Sequence, residues 1–369
     1  MPGDCRSASH ASVTSIFGGC FSSTHQSSPL LKIRLGAAKF SETRTAPHSS
    51  ETPMETSLQL CYPVLTLEGE ELLPAGAHLT KGTMEALVRS AKAQNYPAMR
   101  LMDYGTIASD LQRICQKPFY RNIFSDPVRT KDVFETMQRV TLPQPLLEIY
   151  RYFRTHDPYD YWHILTVFAL SLLLAQDLID DRKELAREVA ASPSHDFGKI
   201  CVPLEILTKQ TPLTVKEQER LSHHPAAGYV ILSYYLGDPE HPAAITARDH
   251  HERANGSGYP GGARLQNRIV EIVACGDVFD ALISQRPYRP HSYDLRSALE
   301  EISLQAEQGA FSTDVVHALI SHCRKSFPGQ QMESEFSHER RGTSPAGNLY
   351  QGARLCRFES GCGEEDEEA

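Results

Sequence analysis

The chain has 369 residues, enough for one large domain and a smaller one, with a formal charge of −9 and a pI near 6.0. That balance offers no basic field for duplex nucleic acid and leaves a small nucleotide open as a ligand. Nine cysteines without a CxxC pair suit neither a disulfide framework nor a zinc ribbon and point to a reducing, cytoplasmic compartment. The longest apolar run, Ile164 to Ala175, falls short of the roughly 20 residues of a membrane span and predicts a buried core helix.

Residues 1–56 are rich in Ser, Thr, His and Gly without apolar periodicity and are expected to be disordered. Asp4 is the only acid before Glu42, among Arg6, Lys32, Arg34 and Lys39, a bias that fits a transit peptide. The abrupt change to globular sequence after Met54 favours an upstream extension instead. Residues 57–105 read as a small α+β regulatory or dimerisation module, compatible with a homodimer: short apolar strands around a Glu68-Gly69 turn, then a helical pattern from Lys81 to Ala93. Residues 106–150 read as a helical connector broken at Pro118, Pro127, Pro143 and Pro145.

From residue 151 to 327 the pattern is helical throughout. Thr214 and Glu217 spell a capping box, and that helix should end near His224, where Pro225 opens the next; Gly237 closes it. A further helix is expected from Pro239 to about Glu252, and another from Arg268 to Ser284 with Ile269, Ile272, Val273, Val278, Phe279 and Leu282 on its apolar positions. The fold class is therefore mainly α, a helical domain behind a small α+β module. Residues 328–369 turn polar and end in an acidic block, an expected disordered tail.

The chemistry centres on His195-Asp196. An imidazole followed at once by a carboxylate can hold a divalent cation and leave the second carboxylate oxygen to bridge to another, although alone the pair could be a solvated turn. Eight of the sixteen histidines lie between His156 and His251. His163, His195, Asp196, His224, His250, His251 and Asp277 come from separate predicted helices and could together hold two metals. Adjacent His250 and His251 would diverge by about 100° on a regular helix, so both can bind only beside a cation pair or at a helix end. His156, His223 and His241 read as surface or capping residues. Arg286 and Arg289 suit a phosphate, and Tyr259, in the loop Gly256 to Pro260, can stack on a base or bond a phosphate.

Four segments, His195 to Ile200, His223 to Leu232, His250 to Pro260 and Gly276 to Pro290, occur in the order of the HD-GYP family. The stretch from about His156 to Pro290 closely resembles that branch of the HD-domain metal-dependent phosphohydrolases, which hydrolyses cyclic di-GMP in bacterial signalling. The resemblance implies metal ligation by the seven residues above with Asp196 bridging, iron or manganese as the metal with zinc also compatible, and Lys199 on the scissile phosphate. It assigns Tyr259, Arg286 and Arg289 to the substrate and implies linear pGpG as the first product, with a second cut to GMP left open. There are departures: Tyr159 stands where some members carry a glutamate for a third metal, which predicts two metals here. Ser192-Pro193-Ser194 replaces an apolar helix end, the stretch from Pro260 to Asp277 is shortened, and Glu271 stands where Arg is usual. Rival readings are a hydrolase of another nucleotide, such as a cyclic GMP-AMP dinucleotide, or a domain that binds without turnover.

Overall fold

The computed structural model describes residues 58–91, 96–181, 185, 193–285 and 292–324. Both expected disordered tails, together with Ser192, Arg286 and Arg289, lie outside the described residues. The described part is mainly helical, with two small sheets near its start.

Strands β1 (Val64–Leu65) and β2 (Glu71–Leu73) pair antiparallel around the expected Glu68-Gly69 turn, where Gly69 takes a positive φ of 85°. Helix α1 (Lys81–Ala91) follows and buries Met84, Leu87, Val88 and Ala91, the i, i+3, i+4, i+7 stripe of an amphipathic helix. The connector contains helices α2 (Ile107–Gln116), α3 (Tyr120–Ile123) and α4 (Pro127–Met137). It also holds an element that the helical reading of residues 106–150 did not foresee. Strand β4 (Thr141–Pro143) pairs antiparallel with β3 (Ala98–Arg100), tying this segment back to the module before it. Three residues of strand carry no periodicity of their own, so only the pairing reveals them.

Helix α5 (Gln144–His156) leads into α6 (Pro158–Leu178), 21 residues long and apolar enough by composition to cross a bilayer. Its burial explains that composition: every residue from His163 to Ala175 is buried inside the protein. Helix α11 (Arg268–Ile283) lies against it and is buried from Ile269 to Ile283. The two approach closely at Gly276, where an added Cβ would lie 3.7 Å from the Cβ of Leu170. Each large aliphatic side chain buried here contributes about 1.5–3 kcal/mol, which fixes the frame that carries the site.

Between these long helices the chain runs through a 3-10 turn (Phe197–Cys201), α7 (Leu204–Leu207), α8 (Val215–Ser222), α9 (His224–Leu236) and α10 (Pro242–Asp249). The capping box at Thr214 and Glu217 is present, and Gly237 closes α9 at φ 71°. Two expectations are corrected. His224 begins α9 rather than ending the helix before it, and α10 starts at Pro242, not Pro239, because the His241 side chain caps it by accepting from the Ala243 N–H. Helices α12 (Leu295–Glu307) and α13 (Thr313–Arg324) complete the described fold. A clamp joins distant elements here: Asp177 accepts from Arg129 and from His322 Nε2, the latter at 2.6 Å.

Candidate metal centre

His195 and Asp196 sit in a tight turn between α6 and the 3-10 turn, all of it buried. Phe197, fully buried, anchors that turn edge-on against Tyr150, and the Tyr150 hydroxyl donates to the Pro193 carbonyl. The Ser-Pro-Ser departure is thus accommodated at Pro193 and Ser194 by burial and a hydrogen bond. Gly198 then lets the turn lie directly on the start of α9: a Cβ there would stand 1.9 Å from the His224 carbonyl oxygen and 2.4 Å from the Gly228 nitrogen. No side chain fits, and that contact sets Asp196 beside His224.

The seven residues read as ligands converge. His163, His195 and Asp277 offer ligand atoms within 4.8 Å of one another, and His224, His250 and His251 form a second such group. Asp196 lies between the two. Its Oδ1 is 3.2 Å from His224 Nε2 and 3.7 Å from His250 Nε2, while its Oδ2 is 3.3 Å from His195 Nε2 and 3.5 Å from His163 Nε2. One carboxylate faces both triads with a different oxygen.

The donors are prepared for cations. His224 Nδ1 donates to the Leu221 carbonyl at 2.7 Å and His250 Nδ1 to Ala247 O at 2.9 Å, which leaves both Nε2 lone pairs bare. These nitrogens lie 3.3 Å apart, and His251 Nε2 is 3.2 Å from His224 Nε2. Burial, reinforced by the neighbouring imidazoles, pushes the pKa of His250 and of His251 below the ordinary histidine value. Neutral lone pairs aimed at one point suit a shared cation. In the other triad, Asp277 Oδ2 is buried with no hydrogen-bond partner. Against the cost of burial, Asp277 and Asp280 hold the His163 imidazole up to about 10, so this half of the site demands positive charge. Burial raises Asp196 too, yet Lys199 and His195 hold its carboxyl well below the usual range. The residues present fit a pair of divalent cations. His250 caps the end of α10 and His251 follows it, the helix-end arrangement that lets adjacent histidines both turn inward.

Lys199 Nζ donates to Asp196 Oδ2 at 2.8 Å and to Asp160 Oδ1 at 2.9 Å. Tyr259 stacks on His251 with ring centroids 4.5 Å apart at 13°, so its ring already rests on the metal-site histidine. Its loop is packed against the ligand segment: a Cβ on Gly258 would lie 2.3 Å from His251 O. Arg286 and Arg289 lie outside the described residues. Glu271 serves the fold, accepting from the Ser312 N–H at 2.6 Å and from Arg268 Nη1 at 3.2 Å.

Three acids were missed in the sequence. Asp280 accepts from His163 Nδ1 at 2.5 Å and turns Nε2 toward Asp277 and Asp196. Asp160 shares Lys199 with Asp196, and Glu252 Oε1 accepts from the N–H groups of Gly261 and Gly262, holding the loop behind Tyr259. The i, i+3 spacing of Asp277 and Asp280 was the available signal, since it puts both on one helix face.

A family model described as HD domain matches residues 131–315. The chain belongs to the HD-domain family. Among curated proteins, this HD domain is similar to the cyclic di-GMP phosphodiesterase response regulator RpfG of Xanthomonas campestris, 38% identical over 151 residues covering 40% of this chain and 39% of that protein. It is 34% identical over 177 residues to a cyclic di-GMP phosphodiesterase of Thermotoga maritima, covering 47% and 46%. It is 36% identical over 137 residues to 3'3'-cGAMP-specific phosphodiesterase 2 of Vibrio cholerae, covering 36% and 25%. The chain thus spans less than half the length of these relatives. The ordered signatures agree with the HD-GYP branch of the family.

Proposed function

We propose that this HD domain is a metal-dependent phosphodiesterase that hydrolyses cyclic di-GMP to linear pGpG. The observation that carries the reading is Asp196 divided between two triads, with one oxygen toward His163 and His195 and the other toward His224 and His250. His163, His195 and Asp277 would hold one divalent cation, His224, His250 and His251 the other, and Asp196 both. When bound, iron or manganese supplies the Lewis acidity that lowers the pKa of a water and neutralises phosphoryl oxygens.

The chain's own groups hold and orient. Lys199, kept next to Asp196 by Asp160, offers fixed positive charge to the scissile phosphate as negative charge grows on it. Tyr259, braced on His251, borders the substrate, and Arg286 and Arg289 are assigned to its phosphates from their motif. Residues 57–105 are proposed as the regulatory module. Identity to a cyclic GMP-AMP phosphodiesterase favours that dinucleotide as a second substrate reading.

The test is anaerobic purification with iron or manganese, metal analysis, and chromatography of cyclic di-GMP beside cyclic GMP-AMP for wild type and Asp196→Ala. Wild type should carry two metals and release pGpG, and Asp196→Ala should do neither. Tight binding of cyclic di-GMP without product would replace this reading by that of a receptor.

A further inference from the structure

A cleft of about 260 Å³ opens beside the metal centre, with His163 and Asp280 in its wall and Tyr159, Trp162, Lys117 and Gln285 around it. It runs along the first turns of α6, where Tyr159, Trp162 and His163 follow one another, and is closed by Lys117 at the end of α2 and by Gln285 after α11. The volume lies just under the roughly 300–1,000 Å³ of pockets that take a drug-sized ligand. It suits one nucleoside-sized group, not a whole cyclic dinucleotide.

The cleft holds one ammonium, Lys117, and one carboxylate, Asp280, and the carboxylate is already engaged. Both oxygens of Asp280 are committed, one to Tyr120 and Ser284 and the other to His163. Lys117 forms no salt bridge among the described residues; its Nζ stands 4.7 Å from the centroid of the Trp162 ring. A cation held over an indole and facing a cleft is placed to receive an anion, and the flat walls of Trp162 and Tyr159 are surfaces on which a base can lie.

We propose that this cleft receives the half of the cyclic dinucleotide that is not cut: Lys117 binds the second phosphate, and Trp162 carries the base beside it. The inference rests on the phosphodiesterase reading above and adds two specificity residues to it. Binding energy that the ground state and the transition state share equally appears in KM alone.

Steady-state kinetics test it, on cyclic di-GMP and on bis(4-nitrophenyl) phosphate, a diester with one phosphorus and no base. Lys117→Gln should raise KM for cyclic di-GMP about tenfold or more at unchanged kcat, the loss of one charge-assisted hydrogen bond. Lys117→Arg should recover most of it, Trp162→Leu should act in the same direction, and none should alter cleavage of the nitrophenyl diester. An unchanged KM in Lys117→Gln, or equal losses on both substrates, overturns the subsite. A wild-type protein that cleaves the nitrophenyl diester but not cyclic di-GMP overturns the function proposed above, and the subsite with it.

Discussion

Adding one methyl group at Gly198 tests how the centre is assembled. The Cβ of Gly198→Ala would stand 1.9 Å from the His224 carbonyl oxygen and 2.4 Å from the Gly228 nitrogen, all backbone atoms that cannot rotate away. Ordinary carbon–oxygen contact is about 3.3–3.6 Å, so the turn and α9 must separate by about 1.4 Å. Metal sites tolerate ligand displacements of about 0.2 Å, so Asp196 and His224 can no longer address one cation. The strain should also cost about 1–3 kcal/mol of stability. Gly82→Ala is the control, since its Cβ meets only the Thr80 hydroxyl at 3.9 Å and an alanine in a helix is favourable by up to about 1 kcal/mol. Metal content by mass spectrometry, thermal midpoint and turnover should all fall in Gly198→Ala and hold in Gly82→Ala. A Gly198→Ala protein with full metal content and wild-type turnover would refute the reasoning.

Three further outcomes are expected. Asp280→Asn removes the charge that orients His163 and should weaken metal binding at least tenfold in a competitive titration; an unchanged affinity would show that Asp280 does not tune the site. Chelation should lower the thermal midpoint and added Mn²⁺ should restore it, because a cation at 100 times its Kd adds about 2.7 kcal/mol; equal midpoints would contradict a structural stake in the metals. Burial raises the Asp177 carboxyl, but Arg129 and His322 outweigh it and leave its pKa lowered in the folded state. Its contribution is therefore present above the unfolded value of about 3.9 and lost as pH falls through the folded one. The difference in urea midpoint between wild type and Asp177→Asn should be full at pH 7 and shrink steadily as pH falls below about 4; a difference that stays constant as the solution is acidified would exclude this ion cluster.

Four of the five candidate metal-site histidines stand at a punctuation mark: His195 in a turn, His224 beside Pro225 after a capping box, His250 and His251 where α10 stops; His163, inside α6, was read only as one of the set. Local chemistry marks such places without any knowledge of the fold. Asp160 was not legible, and for Asp280 the only cue was its i, i+3 spacing from Asp277, because a carboxylate that orients a ligand obeys no spacing to that ligand; Asp280 reaches His163 across 117 residues. Strand β4 was missed for a similar reason, its three residues becoming a strand only through β3. The start of α10 was misplaced because Pro239 and Pro242 are equally good first-turn residues, and the His241 cap decides between them. Arg286 and Arg289 stand on their motif alone.

The two triads are not carried by equal frames. In the first triad only His195 comes from a turn, and His163 and Asp277 project from helices of 21 and 16 residues, whereas His224 opens α9 and His250 and His251 trail the 8-residue α10. Helix ends fray and long buried helices do not, so the two cations proposed above should differ in residence time even where their chemistry is alike. Under a slow chelator the ion among His224, His250 and His251 should depart first, leaving a half-loaded protein whose spectrum and turnover can be recorded on their own.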